Sequence, residues 1–564
     1  MFNRPGYGQR PGHAGAYLGV LLGAWRAGSL LVGGVMKLSD MIHAKKMRAQ
    51  QRAGHDDNEF RIVNNVSTGR LGDARLFSPA DAMAEDMVMP AGGEGGLYIG
   101  YFMGAPLRWP GDEHLFIMGA AGSFKSWSMT SVNVISTALG GRSADGASLD
   151  AQSCFVLDLK GEIYAATHEG HEAITGVKPA RIAPFEPGGM RVNLLGDLVR
   201  QAIAGSLSKE DCYERMMAFM PPDKLEGRNG WIGEEAVRIF AAIMGYLASE
   251  PDRREQCHLA ELADLSSLTI TAFLKTCEAM AESSALEGWI AEEAGISLSK
   301  YAPLPDGAFA EQTLRQWGYA FETAKTVFQP YSKGGKLRAF VTVDSTLDDP
   351  NIWDPADLKR RPSAAYLIFP PKYVRSHGAF AAVLVDYVIC SIRDARGQVR
   401  TNLILDEIGN FARAMAIPDG LKLLRSYGIR IIAAVQDRLS LEEYKTVGGA
   451  KLFESQSVQL LWTVQPDHAR EIENRAGYRT VVSPNYQTSL GVHGPSGTKS
   501  GGEVKVPVLS VHDCGLVGKH HAIFIAPGQN VGIFDRPIYS EIPWVAPFVK
   551  DIRKEPGHGG LDHG

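Results

Sequence analysis

At 564 residues, the chain is too long for one ordinary domain, and its length predicts two to four domains. Hydrophobic residues make up 45% of the chain, enough for a sizeable core, and 58 basic against 63 acidic residues give a formal net charge of −5. This balance excludes a global positive field, so any contact with nucleic acid must use a local patch or the lining of a channel. The six cysteines include no C-x-x-C pair, which argues against a zinc site and a disulfide framework and fits a reducing cytoplasm.

The first element in chain order is an apolar stretch at residues 14–38, which is about long enough to span a bilayer. The basic segment "HAKKMRAQQR" follows it and would place the rest of the chain on the cytoplasmic side. Glycines and the central Arg26 make insertion marginal, because a central arginine costs about 2.5–3.5 kcal/mol on insertion scales. We therefore expect a weak membrane anchor within residues 1–42, with an amphipathic or buried helix as the alternative.

Seven short apolar runs, rich in β-branched residues and bounded by turn residues, predict buried strands of a mostly parallel sheet. Helix-compatible segments lie between many of them, and this alternation is typical of an α/β fold. The predicted strands are residues 114–118, 153–159, 364–370, 402–407, 429–435, 457–463 and 521–526.

The strand signal disappears between about residues 203 and 330, where the apolar residues follow a helical period. This change predicts an all-helical domain inserted into the α/β domain. Farther along, the glycine- and serine-rich segment 483–505 predicts a mobile loop. The predicted organisation is a hydrophobic segment at 1–42, the first part of the α/β domain at 43–202, the helical insertion at 203–330, the second part at 331–540 and a flexible tail at 541–564.

The stretch "HLFIMGAAGSFKSWSM" (114–129) is nearly a phosphate-binding P-loop, G-x-x-x-x-G-K-[ST]. In such a loop, backbone N–H groups at a strand-to-helix turn surround phosphate oxygens, the lysine reaches the outer phosphates, and the next hydroxyl binds Mg²⁺. Phe124 stands where the pattern has its second glycine, and it is tolerable there only if its φ angle stays negative. The match alone fits either a nucleotide site or a structural turn. The predicted nucleotide loop consists of Gly119, Ala120, Ala121, Gly122, Ser123, Phe124, Lys125 and Ser126.

A second pattern, "NLILDEIGN", has the form of an apolar strand that ends in Asp406 and is followed at once by Glu407. An acid at this strand end can hold Mg²⁺, the adjacent glutamate can polarise the attacking water, and Gln436 at the end of the next predicted strand can sense the γ-phosphate. Together the patterns predict ATP and Mg²⁺ as cofactors, with Ser126 and Asp406 as metal ligands and Lys125, Glu407 and Gln436 as catalytic residues. Ser126 and Asp406 lie 280 positions apart (406 − 126), a separation that the helical insertion explains.

The chain resembles the type IV secretion coupling proteins, the TraG/TraD/VirD group of conjugative DNA pumps. Its "FVLDLKGEIYAATHEG" is similar to the family's L-D-P-K-G-E segment, with Leu159 in place of the proline, and the family's N-P-L stretch lacks its proline after Asn193. The resemblance covers roughly residues 96–200 and 340–535. The segments that carry it are 96–126, 155–170, 184–198, 354–374 and 403–437.

This resemblance implies a RecA-like P-loop NTPase fold with an all-α domain that faces the DNA-processing relaxosome. It also implies a hexameric ring on the cytoplasmic face of the bacterial inner membrane that pumps single-stranded DNA or protein substrates into a type IV secretion channel. The implied partners are relaxase and relaxosome proteins or secreted effectors, and channel components. Two alternatives stay open: a soluble RecA-like DNA translocase, if residues 14–38 do not enter a membrane, and a non-hydrolysing substrate receptor with a degenerate P-loop.

Several positively charged residues are candidates for contacts beyond the nucleotide loop. Ring ATPases usually complete each site with an arginine from the neighbouring subunit. DNA contacts would come from lysines and arginines within 357–362 or 497–505, and each of these residues could equally belong to a solvated face. The candidates near the nucleotide are Arg425, Arg430, Arg470 and Arg475 for the arginine, and Lys160 and Glu162 in the family's K-G-E turn.

Overall fold

A computed structural model of the protein describes residues 67–89, 95–142, 148–227, 230–346, 349–411, 416–462, 464–491, 494–517 and 520–552. The predicted membrane segment at 14–38 lies outside these residues.

The strands of the described chain have the following bounds. They are β1 (Leu97–Phe102), β2 (Ala105–Trp109), β3 (His114–Met118), β4 (Gly141–Arg142), β5 (Ser148–Leu149), β6 (Ser153–Asp158), β7 (Ala180–Ile182), β8 (Ala364–Ile368), β9 (Thr401–Leu405), β10 (Ile429–Val435), β11 (Ser457–Leu461), β12 (Tyr478–Gly491), β13 (Gly494–Pro507), β14 (His521–Ile525) and β15 (Gly532–Asp535).

Eleven of these strands form one sheet in the order β2-β1-β15-β14-β11-β3-β10-β9-β6-β8-β7. The seven strands from β11 to β7 run parallel, whereas β14, β15, β1 and β2 extend the sheet with antiparallel pairing. All seven predicted strands belong to this sheet, which confirms the mostly parallel α/β fold. The expected parallel direction is wrong for 521–526, because β14 pairs antiparallel with its neighbour β11 in the sheet. A short turn then joins β14 to β15 as an antiparallel hairpin.

The helices of the described chain are distributed between the strands. They are α1 (Pro79–Ala84), α2 (Ser131–Leu139), α3 (Glu162–Thr175), α4 (Gly196–Ala204), α5 (Lys209–Phe219), α6 (Trp231–Ser249), α7 (Leu259–Leu265), α8 (Ile270–Met280), α9 (Trp289–Lys300), α10 (Glu311–Phe328), α11 (Arg338–Val341), α12 (Asp357–Arg360), α13 (Val374–Asp394), α14 (Ala416–Leu423), α15 (Gly449–Gln456), α16 (Pro466–Ala476) and α17 (Val511–Leu516).

The parallel strands are apolar throughout because both faces of the sheet are covered. On β3, Phe116 and Met118 belong to one buried cluster, and Leu115 and Ile117 belong to the cluster on the other face. This alternation follows from the two-residue period of a strand.

Between β7 and β8, the described chain contains helices α4 to α12 and no strand. Apolar side chains of these helices, such as Phe240 and Phe321, belong to the same continuous buried cluster as Phe116 and Phe155 of the sheet. The helical segment therefore packs on one face of the sheet. The boundaries 203 and 330 of an inserted domain stay a prediction.

Two segments expected to lack regular structure are ordered elements. The mobile loop predicted at 483–505 is wrong, because β12 and β13 pair antiparallel from Tyr478–Pro507 to Gly491–Gly494. The two strands are paired by backbone hydrogen bonds, which do not require large side chains. A segment rich in glycine and serine can therefore form this hairpin although its composition indicates a loop. The flexible tail predicted at 541–564 is wrong over 541–552, where Ile542 and Val545 are buried and the Lys550 N–H donates to the Ala166 carbonyl at 2.9 Å.

One helix of the described chain, Pro371–Asp394, is long and apolar enough by length and composition to cross a membrane. Phe380, Leu384 and Val388 of this helix are buried in the core beside the sheet. Core helices of soluble proteins have the same length and composition, so the helix is weak evidence for a membrane span.

Candidate nucleotide-binding site

The predicted nucleotide loop connects the carboxyl end of β3 to a helical turn, Ser126–Thr130, that continues into α2. The Gly119 N–H donates to the Val435 carbonyl at 3.1 Å, which ties the start of the loop to β10. At its end, the N–H groups of Trp127 and Ser128 donate to the Phe124 carbonyl at 3.1 and 2.9 Å. All eight predicted loop residues thus lie at the strand-to-helix turn that phosphate binding requires.

Phe124 has a φ angle of +63°, so the expectation of a negative φ angle is wrong. The residue takes the left-handed conformation for which a glycine is usually selected at this place in the motif. Gly122 is also left-handed, at +72°, and a Cβ there would meet no atom within 4 Å. The Phe124 ring lies 5.3 Å from the Trp127 ring, which gives this strained residue a packing partner.

The two halves of the predicted site meet. The Ser126 Oγ donates to the Asp406 Oδ2 at 2.8 Å, although the two residues are 280 positions apart. Asp406 comes directly after β9, and β10 lies between β9 and the loop strand β3. The Lys125 Nζ lies 3.3 Å from the Glu407 Oε1 and donates to the Gly119 carbonyl at 2.6 Å. The lysine, the hydroxyl and the two carboxylates therefore share one small space at the carboxyl edge of the sheet.

Burial governs the charge of the acids in this space. Asp406 is almost fully buried, and burial raises its pKa to about 6, against the lowering effect of its hydrogen bond from Ser126. Glu407 raises the pKa of Asp406 further, whereas Lys125 and Lys160 lower it. The site therefore favours a positively charged group beside Asp406.

Sequence reasoning missed Asp158, the last residue of β6. This carboxyl is buried beside Asp406, and burial raises its pKa to about 7, against the lowering effect of the bond that it accepts from the Tyr164 N–H at 2.8 Å. The sequence pattern that could have identified Asp158 was present, since this residue ends an apolar strand in the same way as Asp406.

Glu162 of the K-G-E turn is the first residue of α3, and Gly161 before it has a left-handed φ of +73°.

Gln436 follows the last residue of β10 and has an exposed side chain. It lines a cavity of about 180 Å³ together with Ala120 and Ala121 of the nucleotide loop. The structure thus brings Gln436 next to the loop.

Arg536 stabilises the nucleotide loop through a backbone contact, and no sequence motif indicated this role. This buried guanidinium donates to the Ser123 carbonyl at 2.6 Å and to the His521 carbonyl at 3.1 Å. It also lies 4.2 Å from the centre of the Trp462 ring, and Trp462 packs so closely on Gly119 that a Cβ there would lie 2.6 Å from it. Burial lowers the pKa of Arg536 to about 10, so the group stays charged at neutral pH.

The candidate arginines divide into two groups. Arg430 is buried and donates to the carbonyls of Gly111 and Glu113, and Arg475 donates to the Ala526 carbonyl at 2.9 Å. Arg425, Arg470 and Arg475 are exposed. These three arginines are accessible to another subunit, whereas Arg430 is not.

The first stretch expected to contact DNA, 357–362, offers fewer free cations than its sequence indicates. Lys359 is buried and donates to the Tyr427 carbonyl at 2.8 Å, and Arg360 pairs with Asp357 at 2.7 Å. In the second stretch, the Lys505 Nζ lies 3.9 Å from the centre of the Tyr478 ring.

A mostly parallel sheet with a nucleotide loop after β3 and an Asp-Glu pair after β9 defines a RecA-like P-loop fold. A family model described as type IV secretory system conjugative DNA transfer matches residues 46–556, most of the chain. The chain therefore belongs to this family, as its sequence resemblance predicts. Comparison with curated protein sequences gave no match.

Solved structures with this fold come from conjugative coupling proteins. The bacterial coupling protein TrwBdeltaN70 in its unbound monoclinic form has a TM-score of 0.53 at 13% identity, covering 84% of this chain and 95% of that chain. The plasmid coupling protein TrwB with the ATP analogue ADPNP has a TM-score of 0.53 at 14% identity, covering 82% and 93%. TrwB with ADP and Mg²⁺ has a TM-score of 0.52 at 13% identity, covering 84% and 96%. Identities this low show the shared fold alone.

Proposed function

We propose that this protein is an ATP-driven coupling protein that recruits single-stranded DNA, protein substrates or both and pumps them into a type IV secretion channel. One observation carries the proposal: the contact between Ser126 and Asp406 closes a site that also contains Lys125 and Glu407. Family membership gives the transport context. The binding of an ATP analogue, and of ADP with Mg²⁺, by TrwB gives the class of ligand.

We assign the following roles to the site. Lys125 releases the loop carbonyls and binds the outer phosphates, while loop N–H groups bind the remaining phosphate oxygens. Glu407 orients and polarises the attacking water, and Gln436 contacts the γ-phosphate. Arg536 holds the Ser123 peptide and thereby fixes the loop.

The residues present fit Mg²⁺. The Asp406 Oδ1 is buried, and the described residues provide no hydrogen-bond partner for it, so one oxygen is left for a cation. Ser126 and Asp406 would hold the ion, which supplies charge neutralisation at the phosphates when bound.

The setting of this activity follows from the family and from the N-terminal sequence. We place the protein as a homo-hexamer on the cytoplasmic face of the bacterial inner membrane, attached through residues 14–38, with relaxosome proteins or effectors and channel components as partners. A soluble DNA translocase is the alternative if this segment does not insert.

A non-hydrolysing receptor is favoured by one observation, the hydrogen bonds that hold the Lys125 ammonium on the loop's own carbonyls.

The test compares the full chain with its Lys125→Ala variant. We expect the variant to lose ATP binding in a nucleotide titration and phosphate release stimulated by single-stranded DNA, with its thermal unfolding unchanged. Lys178→Ala, at an exposed position before β7, is the matched control and keeps both activities. ATP binding without DNA-stimulated phosphate release in the wild type would establish the receptor instead.

A further inference from the structure

A groove of about 430 Å³ lies at the carboxyl ends of β7 and β8, on the same edge of the sheet as the nucleotide loop. Four spacings separate β8 from β3, which places the two sites roughly 19 Å apart at about 4.8 Å per strand. We name it the Phe185–Tyr373 groove. The lining residues used below are Phe185, Gly188, Gly189, Lys336, Phe340 and Tyr373.

An aromatic pair forms one side of the groove. The rings of Phe185 and Tyr373 stack at a centroid distance of 4.0 Å and an interplanar angle of 21°. Phe369, buried in the core, contacts the edge of Phe185 at 5.2 Å, so the pair is anchored from inside. Both stacked rings are themselves half-exposed, unlike the buried Phe369. An anchored but accessible aromatic surface is what a nucleic-acid base requires for stacking.

Two glycines also line the groove. Gly188 has a left-handed φ of +77°, and Gly189 lies so close to Ala183 that a Cβ would be 3.0 Å from the Ala183 nitrogen. The left-handed conformation and the close approach to Ala183 favour glycine at these two positions, so neither position adds a side chain to the lining. A volume of 430 Å³ lies within the usual range of small-ligand sites, about 300–1,000 Å³.

Two lysines beside the Tyr373 ring are available to a ligand: Lys336 lines the groove and Lys372 adjoins it. Arg191 also lines the groove but pairs with Asp349 at 2.8 Å. The Lys336 Nζ donates to the Tyr373 hydroxyl at 2.8 Å, and the Lys372 Nζ lies 5.0 Å from the centre of the same ring. Among the described residues, no carboxylate lies within 4.0 Å of either ammonium group, and both side chains are exposed. The Lys336 hydrogen bond lowers the pKa of the Tyr373 hydroxyl, as expected in a positive environment.

A larger cavity provides a contrast. It has about 700 Å³ and contains Arg108 and Arg400, at the amino edge of the sheet. There Arg108 pairs with Asp86 at 2.7 Å and Arg400 pairs with Asp112 at 2.6 Å. Because their charges are neutralised by these ion pairs, Arg108 and Arg400 are less suited to bind an anion than Lys336 and Lys372.

We propose that the Phe185–Tyr373 groove binds one nucleotide unit of single-stranded DNA, stacking its base on the aromatic pair and contacting its phosphates through Lys336 and Lys372. The inference rests on the proposed function, which supplies DNA as a substrate. Stacking is tolerant of sequence, because every base has a π face, so the groove suits a motor that must pass any sequence. Its place on the nucleotide edge puts DNA on the same edge of the sheet as the nucleotide loop, roughly 19 Å from it.

The experiment measures the affinity of the full chain for fluorescent single-stranded oligothymidylate by anisotropy over a range of salt concentrations. Tyr373→Ala should raise the Kd about 5- to 150-fold without changing its salt dependence, because it removes stacking. Tyr373→Phe keeps the ring and should stay within about twofold of wild type. Lys336→Gln should reduce the slope of log K against log salt by about 0.7, the value for one phosphate contact on a single strand.

Lys178→Gln removes an exposed charge before β7 begins, at the opposite end of that strand, and should leave the slope unchanged. ATP titration of each variant, expected at wild-type affinity, verifies that the fold is intact. Wild-type DNA affinity in Tyr373→Ala would overturn the groove assignment and leave the proposed function standing. A wild-type chain that binds ATP but no DNA would overturn both.

Discussion

Phe124 carries a left-handed backbone conformation with a large side chain, and this combination can be tested by substitution. Phe124→Gly removes the strain, whereas Phe124→Ala keeps the strain and removes only the ring. We expect the glycine variant to unfold at a free energy about 1 kcal/mol higher than the alanine variant in urea, the usual cost of this conformation for a residue with a Cβ. Nucleotide affinity should be retained or improved in Phe124→Gly. Equal stability of the two variants would mean that the loop relaxes and stores no strain.

Glu407 and Asp406 are adjacent but contact different partners, so their substitutions should have different effects. Glu407→Gln should still bind ATP and Mg²⁺ but hydrolyse slowly, because the amide lacks the charge that polarises water. Asp406→Asn removes a negative charge from the Ser126 side of the site, so metal-dependent binding and turnover should both fall. Parallel nucleotide titrations and phosphate-release assays separate the two effects. Phosphate release by Glu407→Gln at the wild-type rate would exclude Glu407 as the residue that polarises the attacking water.

The sequence predicted which residues meet at the loop better than it predicted their backbone geometry. Lys125, Ser126 and Asp406 were found because their spacing follows from phosphate and metal chemistry, which is local in the chain. The φ angle of Phe124 and the approach of Arg536 to Ser123 depend on packing between segments far apart in sequence. The Arg536–Ser123 contact, for example, joins positions 413 apart.

At the scale of elements, His114 connects the amino ends of β3 and β10. Its Nδ1 accepts from the Ile431 N–H at 3.0 Å, and its Nε2 donates to the Leu421 carbonyl at 3.1 Å. These two bonds require the neutral ring, and burial lowers the pKa of His114 to about 4. The unfolded chain therefore binds a proton below about pH 6.5 that the folded chain takes up only near pH 4, so stability falls as the pH is lowered through this window.

We expect the free energy of unfolding to drop by about 2 kcal/mol from this histidine alone between pH 7.5 and pH 5. Urea unfolding of wild type and His114→Asn at both pH values measures the effect as the difference between the two proteins. The variant is expected to be less stable at pH 7.5 but to lose less on acidification. An identical loss in both proteins would assign the acid sensitivity to other groups.

The strands were predictable and the connections between them were less so. A strand that is buried on both faces consists of a continuous apolar run, which the sequence shows directly. The predicted strands 114–118 and 429–435 therefore match β3 and β10. Strands β7 and β15 have three and four residues, too few to show a period of their own. The β12–β13 hairpin is stabilised by backbone pairing, which composition does not record.

For the molecule as a whole, the proposed attachment to a membrane through residues 14–38 can be tested by deletion. Deletion of residues 1–42 should convert a protein found in the membrane fraction into one that is soluble without detergent. The deletion leaves the nucleotide site intact, so ATP binding should persist. Membrane fractionation of both proteins is the measurement. A full-length chain already soluble without detergent would show that the predicted anchor is wrong and favour the soluble translocase.

The proposed assembly into a ring predicts that an arginine of one subunit completes the site of its neighbour. Arg425 is exposed and lies before β10 begins, close enough to His114 at the start of β3 to lower the pKa of that histidine. The five residues of β3 separate this edge from the nucleotide loop by about 16 Å, at about 3.3 Å per residue. Arg425 therefore cannot reach the nucleotide of its own subunit. Arg470, by contrast, lies on α16, which begins on the same edge as the loop.

We therefore expect Arg425→Ala and Lys125→Ala to be inactive alone and to recover activity when mixed. In an equal mixture, about a quarter of the interfaces combine an intact Lys125 with an intact Arg425, so the recovered ATPase should approach that fraction of wild type. Mixing Arg470→Ala with Lys125→Ala is the matched control. This mixture should show no recovery: its ATPase activity should equal that of the Arg470→Ala protein it contains, measured alone. Size-exclusion chromatography with ATP verifies that both mixtures assemble. Without recovery in an assembled mixture, Arg425 would act within its own subunit, or only in packing, and the trans assignment would be wrong.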